Sequence, residues 1–223
     1  PQRPGWSDRD RFILSKGHAA VGLYPLLADV GFFDAALLDT YTRLGSVFGD
    51  HPDMRKIPGI DFSSGSLGHG LSVGVGMALA ARVTERGYRV YVLLGDGELD
   101  EGQVWEAAMS AAHFRLGNLV AIVDRNLVSV DGETAEVMDI EPLTDKWAAF
   151  GWRVHEVDGH DLEALLDCFA GLPDPASGQP TVLVAHTVAG KGVSFMEDRF
   201  EWHLGYLAPD DQARALAELG GSR

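Results

Sequence analysis

Residues 89–130, RVYVLLGDGELDEGQVWEAAMSAAHFRLGNLVAIVDRNLVSV, read as one strand, helix, strand unit with a polar residue at the end of each strand. Arg89 to Leu94 is β-branched and apolar, and Gly95-Asp96-Gly97 breaks it. Gln103 to Arg115 carries apolar residues at helical spacing, Gly117 stops that helix, and Asn118 to Val123 is strand-like again. A helical crossover makes two such strands parallel neighbours. Asp96 and Asn126, thirty positions apart, are therefore expected at the same carboxyl edge of one sheet, where open α/β sheets bind ligands. The expected fold class is α/β.

At that edge Asp96 offers a hard anionic oxygen, Asn126 a neutral amide oxygen, and the irregular backbone beyond it a carbonyl. This set suits magnesium holding the oxygens of a diphosphate. Gly95 and Gly97 let backbone amides approach the phosphates, and the following helix N-terminus adds positive potential. A bare GDG reads as well as a strand-end turn, with Asp96 as a cap and Asn126 in the left-handed region.

The surrounding motifs add to the pair. GDG, the acidic segment ending in Glu101-Gly102, Glu106 and then DRN closely resemble the thiamine diphosphate fingerprint of transketolases. DRFILSKGHA near the start, HPD at 51–53, SSGSLGHGLSVGVGMALA at 63–80 and AGKGVSFMEDRFEWH at 189–203 resemble further motifs of that family, in its order. The resemblance is to the N-terminal, diphosphate-binding half, in the version divided between two polypeptides. It implies a three-layer thiamine diphosphate-binding fold, a mostly parallel sheet flanked by helices, as a single domain over 1–223.

The resemblance also implies roles residue by residue. Asp96, Asn126 and the main-chain carbonyl of Val128 match the magnesium ligands. His18 and His203 match histidines beside the diphosphate, and His51 matches one near the reactive carbon that hydrogen-bonds the donor's hydroxyls. Gly65, Leu67 and Gly68 match the loop against the thiazolium and aminopyrimidine. Gly95, Gly97, Glu98 and Lys191 complete the expected cofactor contacts. Glu101 and Glu106 match glutamates near the subunit interface that are linked to proton exchange between paired sites. Arg125 falls at a position that varies in the family and receives no role. His69 departs from the family's glutamine, and Leu204-Gly205-Tyr206 departs from its small residues after the last histidine.

Composition bounds the rest. The chain's 223 residues, 46% hydrophobic and 23% charged, suffice for one α/β core. With 33 acidic against 18 basic residues the formal charge is -15, which opposes binding to nucleic acid or an anionic membrane. Cys168 is the lone cysteine, no signal-peptide pattern opens the chain, and the run Leu71 to Val83 is too short to span a bilayer. A soluble, cytoplasmic protein is expected. Pro1 to Asp10 reads as extended and exposed, Phe33 to Arg43 as a helix, and the small residues of the helix Leu71 to Arg82 as close packing in the core or against another subunit.

In transketolases the glutamate that activates the cofactor's pyrimidine comes from a second domain, for which this sequence leaves no segment. The resemblance thus implies a partner subunit carrying the pyrimidine-binding domain, an A2B2 heterotetramer, and transfer of a two-carbon ketol unit from a ketose, with or without phosphate, to an aldose. The α subunit of a 2-oxo acid dehydrogenase shares the GDG-to-asparagine spacing, but the LSKGHA, HPD and SLGHG motifs weigh against it. A silent cofactor-binding subunit is the other alternative, and the intact Asp96 and Asn126 pair weighs against that.

Overall fold

The computed structural model describes residues 3–220. Among them the strands are β1 (Arg11–Leu14), β2 (Val90–Gly95), β3 (Leu119–Arg125), β4 (Val128–Ser129), β5 (Gly132–Glu133), β6 (Arg153–Asp158) and β7 (Thr181–His186). Five form one wholly parallel sheet in the order β1-β2-β3-β7-β6, while β4 and β5 pair as a small antiparallel hairpin. The helices are α1 (Ala20–Asp29), α2 (His69–Val83), α3 (Gly102–His113), α4 (Thr134–Val137), α5 (Leu143–Ala149), α6 (Leu162–Ala170) and α7 (Pro209–Glu218).

Strand alternation explains the three layers. Val90, Val92 and Leu94 point to one face and pack with buried residues of α2, α3 and α5, including Trp147. Leu93 points to the other face, toward Tyr24 and Leu27 of α1, and Tyr91 meets Phe169 of α6 edge-on at 6.0 Å. Each central strand is therefore covered twice, which is why β3 and β7 read as apolar runs. Within α2, a Cβ on Gly74 would sit 2.6 Å from a methyl of Val92, so this glycine serves helix-on-sheet packing. Gly76 faces open space.

Four local expectations are corrected. Gly117 does not end α3; Arg115 takes the left-handed conformation there (φ 55), and Gly117 instead lets the chain pass close to 175–178, where a Cβ would lie 2.9 Å from Gly178 N. The helix expected over 33–43 is a 3-10 turn, Ala35–Thr40, capped by Asp34, because Phe33 and Tyr41 at its two ends are drawn into the aromatic cluster around Phe48 and Tyr24. β3 runs two residues beyond Val123, which puts Asp124 and Arg125 inside the sheet. Of the segment 1–10, residues 1 and 2 lie outside the described residues; the remainder is anchored rather than simply extended, since Arg9 clasps the buried Asp61 with both guanidinium nitrogens at 2.6 and 2.8 Å.

Candidate cofactor site

Parallel register brings the two strand tips together. Gly95 stands opposite Asp124, so Asp96 and Asn126 leave adjacent strands at the same edge. Asp96 is almost fully buried: its Oδ1 accepts the Gly97 N–H at 2.8 Å, and its Oδ2 accepts the Leu127 N–H at 2.6 Å and the Arg125 guanidinium at 3.2 Å. Leu127 achieves this in the left-handed region (φ 66), a strained setting for a side chain with a Cβ. The turn leaves Asn126 Oδ1 accepting the Val128 N–H at 3.0 Å, with a second lone pair still free to serve a cation.

Two adjoining clefts of about 230 and 260 Å³ open over this edge and share Lys16, His18, Asn126, Val128 and His203. Leu67 and the backbone of Gly95 to Gly97 wall the first. His18 and His203 stand with ring centroids 5.3 Å apart. Burial, then the like charges of His203, Lys16 and His51, lower His18 to about 4. His203 is lowered too, by burial and by Lys16, against Asp96 and Asp124, which pull it up. Both rings are therefore neutral near pH 7, each with one N–H to offer an anion.

Those shifts set a pH dependence. An unfolded His18 takes up a proton below its ordinary value of 6.5, whereas the folded one stays neutral until about 4. Acidification through that window therefore favours the unfolded chain, and stability is expected to fall as pH drops. Urea unfolding midpoints from about pH 7 to about pH 5 should decline less steeply in His18→Asn than in the wild type. Equal slopes would show that His18 does not carry this dependence.

Lys16 leans into the cleft from beneath. Its Nζ pairs with Asp124 Oδ2 at 2.6 Å, and Asp124 also accepts from Thr187 Oγ1. Lys16 and these hydrogen bonds hold the Asp124 carboxyl below its ordinary value despite burial, which acts first and in the opposite sense.

The donor chemistry fits a magnesium diphosphate. Among the described residues no group of three or more His, Cys, Asp or Glu side chains is arranged to hold a metal. What the tips supply is one carboxylate, one amide oxygen and the nearby Val128 main chain, an incomplete set of hard oxygens. Magnesium, which keeps water and phosphate oxygens in its shell, suits such a set, while zinc does not. Burial pushes the Asp96 carboxyl up, against the Leu127 and Gly97 amides and Arg125, which pull it down. A buried anion whose guanidinium is shared with Glu141 is a good partner for a further cation.

Other expected residues are not all brought there. The His51 ring is exposed and lies beside Gly65, where a Cβ would be 3.7 Å from it; neither lines the clefts. Gly68 lies under Glu101, and Glu101 and Glu106 are exposed on the first turns of α3. Lys191 and Glu98, the other two expected cofactor contacts, differ in where they lie. Lys191 is exposed and faces Glu197 at 3.7 Å, outside both clefts, because the glycines around it loop it outward. Glu98 is buried at the wall of the first cleft, where its carboxylate oxygens also accept from Ser15, Gly68 and Gly95. Arg125, given no role from sequence, proves to be the cation paired with Asp96. A charge inside a strand buried on both faces was the available signal, since such a group must find a partner.

Comparison with known proteins follows the same lines. The family model described as "Transketolase, thiamine diphosphate binding domain" matches residues 1–222. The chain is 44% identical over 219 residues to an apulose-4-phosphate transketolase subunit of Phocaeicola vulgatus, covering 98% of this chain and 77% of the relative. It is 45% identical to a 6-deoxy-6-sulfo-D-fructose transketolase subunit of Clostridium sp., covering 98% of this chain and 79% of that protein. The crystal structure of transketolase from Campylobacter jejuni superposes with a TM-score of 0.88 at 29% identity, covering 97% of this chain and 35% of the other. The chain thus spans about three quarters of the subunit-type relatives and about a third of that transketolase.

Proposed function

Since this chain belongs to the transketolase thiamine diphosphate-binding domain family, it is a thiamine diphosphate-binding subunit of a transketolase, and we propose that Asp96, Asn126 and the Val128 carbonyl hold Mg2+ at its diphosphate. The observation that carries this reading is the meeting of Asp96 and Asn126 at one sheet edge, through the Asp96 to Leu127 hydrogen bond of 2.6 Å. When bound, thiamine diphosphate supplies the electron sink that lets a carbon–carbon bond beside a carbonyl be cleaved and re-formed.

The chain's own residues bind and orient. His18 and His203 donate N–H groups to the diphosphate end, where Lys16 adds positive charge. Leu67 gives the thiazolium an apolar surface, and Gly65 and Gly68 let the backbone approach the rings. His51 meets the donor's hydroxyls. Glu101 and Glu106 face a partner chain across α3, consistent with their exposure. In this reading 1–223 forms one domain, the partner carries the pyrimidine-binding domain, two copies of each assemble as a heterotetramer, and the substrates are ketose donors and aldose acceptors. The relatives named for a sugar phosphate and a sulfo-sugar support an anionic ketose donor. A cytoplasmic location agrees with the lone Cys168, and among the described residues no helix is long and apolar enough to cross a membrane.

Reconstitution tests the division of labour. Ketol transfer should require both chains together with thiamine diphosphate and Mg2+, and neither chain alone should turn over. Full transfer by this chain alone would contradict the two-chain reading.

A further inference from the structure

Glu98 sits two residues after Asp96 and is 2% exposed. Its Oε1 accepts the Ser15 hydroxyl and the Gly68 N–H at 2.9 Å, and its Oε2 accepts the Gly95 N–H at 3.0 Å. Ser15 Oγ in turn accepts the Gly70 N–H at 3.1 Å. One carboxylate thus gathers donors from three stretches of chain that are remote in sequence. Each stretch runs directly into a residue of the cleft: Ser15 into Lys16 and His18, Gly68 from Leu67, and Gly95 into Asp96. The convergence is tight enough to need glycine, since a Cβ on Gly70 would lie 2.5 Å from Ser15 Cβ.

We propose that Glu98 is a positioning residue: it pins the loops after β1, before α2 and after β2 to one another, and so fixes the shape of the cofactor site before the cofactor arrives. Both carboxylate oxygens accept donors from the loops themselves, and that gathering of loops is its role. A buried anion held by several N–H and O–H donors makes charge-assisted bonds, the stronger kind. Loops already held in their binding geometry lose less freedom on association, so affinity rises without a new contact. The inference rests on the reading of the cleft as a thiamine diphosphate site.

Glu98→Gln is the smallest informative change. It keeps size and shape, but its amide nitrogen must confront at least one donor that the carboxylate accepted. Ser15→Ala removes only the link through the hydroxyl. Val90→Ala, a core change at the far end of β2, serves as a control for stability loss alone. Two measurements are made on each variant and on their double: amide hydrogen exchange of the chain without cofactor, and calorimetric titration of thiamine diphosphate with Mg2+ in the assembled enzyme.

Glu98→Gln should raise exchange in all three stretches together, around 15–18, 67–70 and 95–97, and weaken cofactor affinity about tenfold. Ser15→Ala should do the same more weakly, and the double variant should be little worse than Glu98→Gln, because both act through one junction. Affinity within about twofold of wild type, faster exchange confined to 95–97, or an equal loss of affinity in Val90→Ala would each overturn the proposal. Should Glu98→Gln not fold, Ser15→Ala decides by the same criteria. A wild-type enzyme that binds no thiamine diphosphate would defeat the cofactor reading instead, while the exchange measurement would still judge the clamp.

Discussion

Asp96→Ala is expected to abolish magnesium-dependent binding of thiamine diphosphate. Asp96 is the anionic side chain that stands beside Asn126 at the two strand tips; Glu98 is engaged by Ser15, Gly68 and Gly95, and Asp100 and Asp131 line the cleft beyond the tips. Asn126 offers a neutral oxygen, and Asp124 is engaged by Lys16 and Thr187. Losing a residue that merely orients a metal ligand costs up to about a hundredfold in affinity, so losing the charged ligand should cost at least that. The fold has a reason to survive, because Arg125 keeps Glu141 as its partner. Titration calorimetry with and without Mg2+ measures the effect directly. An unchanged affinity in Asp96→Ala would remove Asp96 from the metal site.

Arg125→Met is expected to destabilise the chain without cofactor by about 3 kcal/mol, the lower end of what breaking a buried ion pair costs when one charge is left behind. The charge left behind is Asp96, whose side chain is 2% exposed. Arg125 also donates to Thr134 and Glu141, so its loss frees the 134–143 segment from the sheet edge. Adding Asp96→Asn removes the stranded charge, and the double variant should therefore recover part of the loss, giving a clear non-additivity in urea unfolding. A loss below about 0.5 kcal/mol in Arg125→Met, as for a surface substitution, would mean that the pair does not hold this edge together.

The same two residues show what could be read from the sequence. Asp96 and Asn126 could be joined on paper because a strand, helix, strand unit has one favoured outcome: parallel neighbours whose tips share an edge. The motif order carried the family, and the apolar runs of β2, β3 and β7 carried the layers. Arg125 could not be assigned a partner, because Glu141 belongs to a stretch whose path is set by contacts far along the chain. The convergence of Ser15 and Gly68 on Glu98 could not be read beforehand, since nothing linear brings those stretches together. Lys191 was placed by motif alone, and in the structure its loop carries it toward Glu197. The 33–43 helix yielded to aromatic anchors at its ends, and Gly117 to the close pass of residues 175–178. Local pattern decides elements where burial is uniform; tertiary neighbours decide where it is not.

Diffraction from the assembled enzyme grown with thiamine diphosphate and Mn2+ in place of Mg2+, using the anomalous signal of the metal, tests the strand-tip site most directly. A single peak is expected at each copy of this chain, within coordination distance, about 2.1 Å, of an Asp96 carboxylate oxygen, the Asn126 amide oxygen and the Val128 carbonyl, with the diphosphate on its far side. A metal lodged elsewhere, or a diphosphate bound while these three oxygens stay turned to their protein donors, would contradict it.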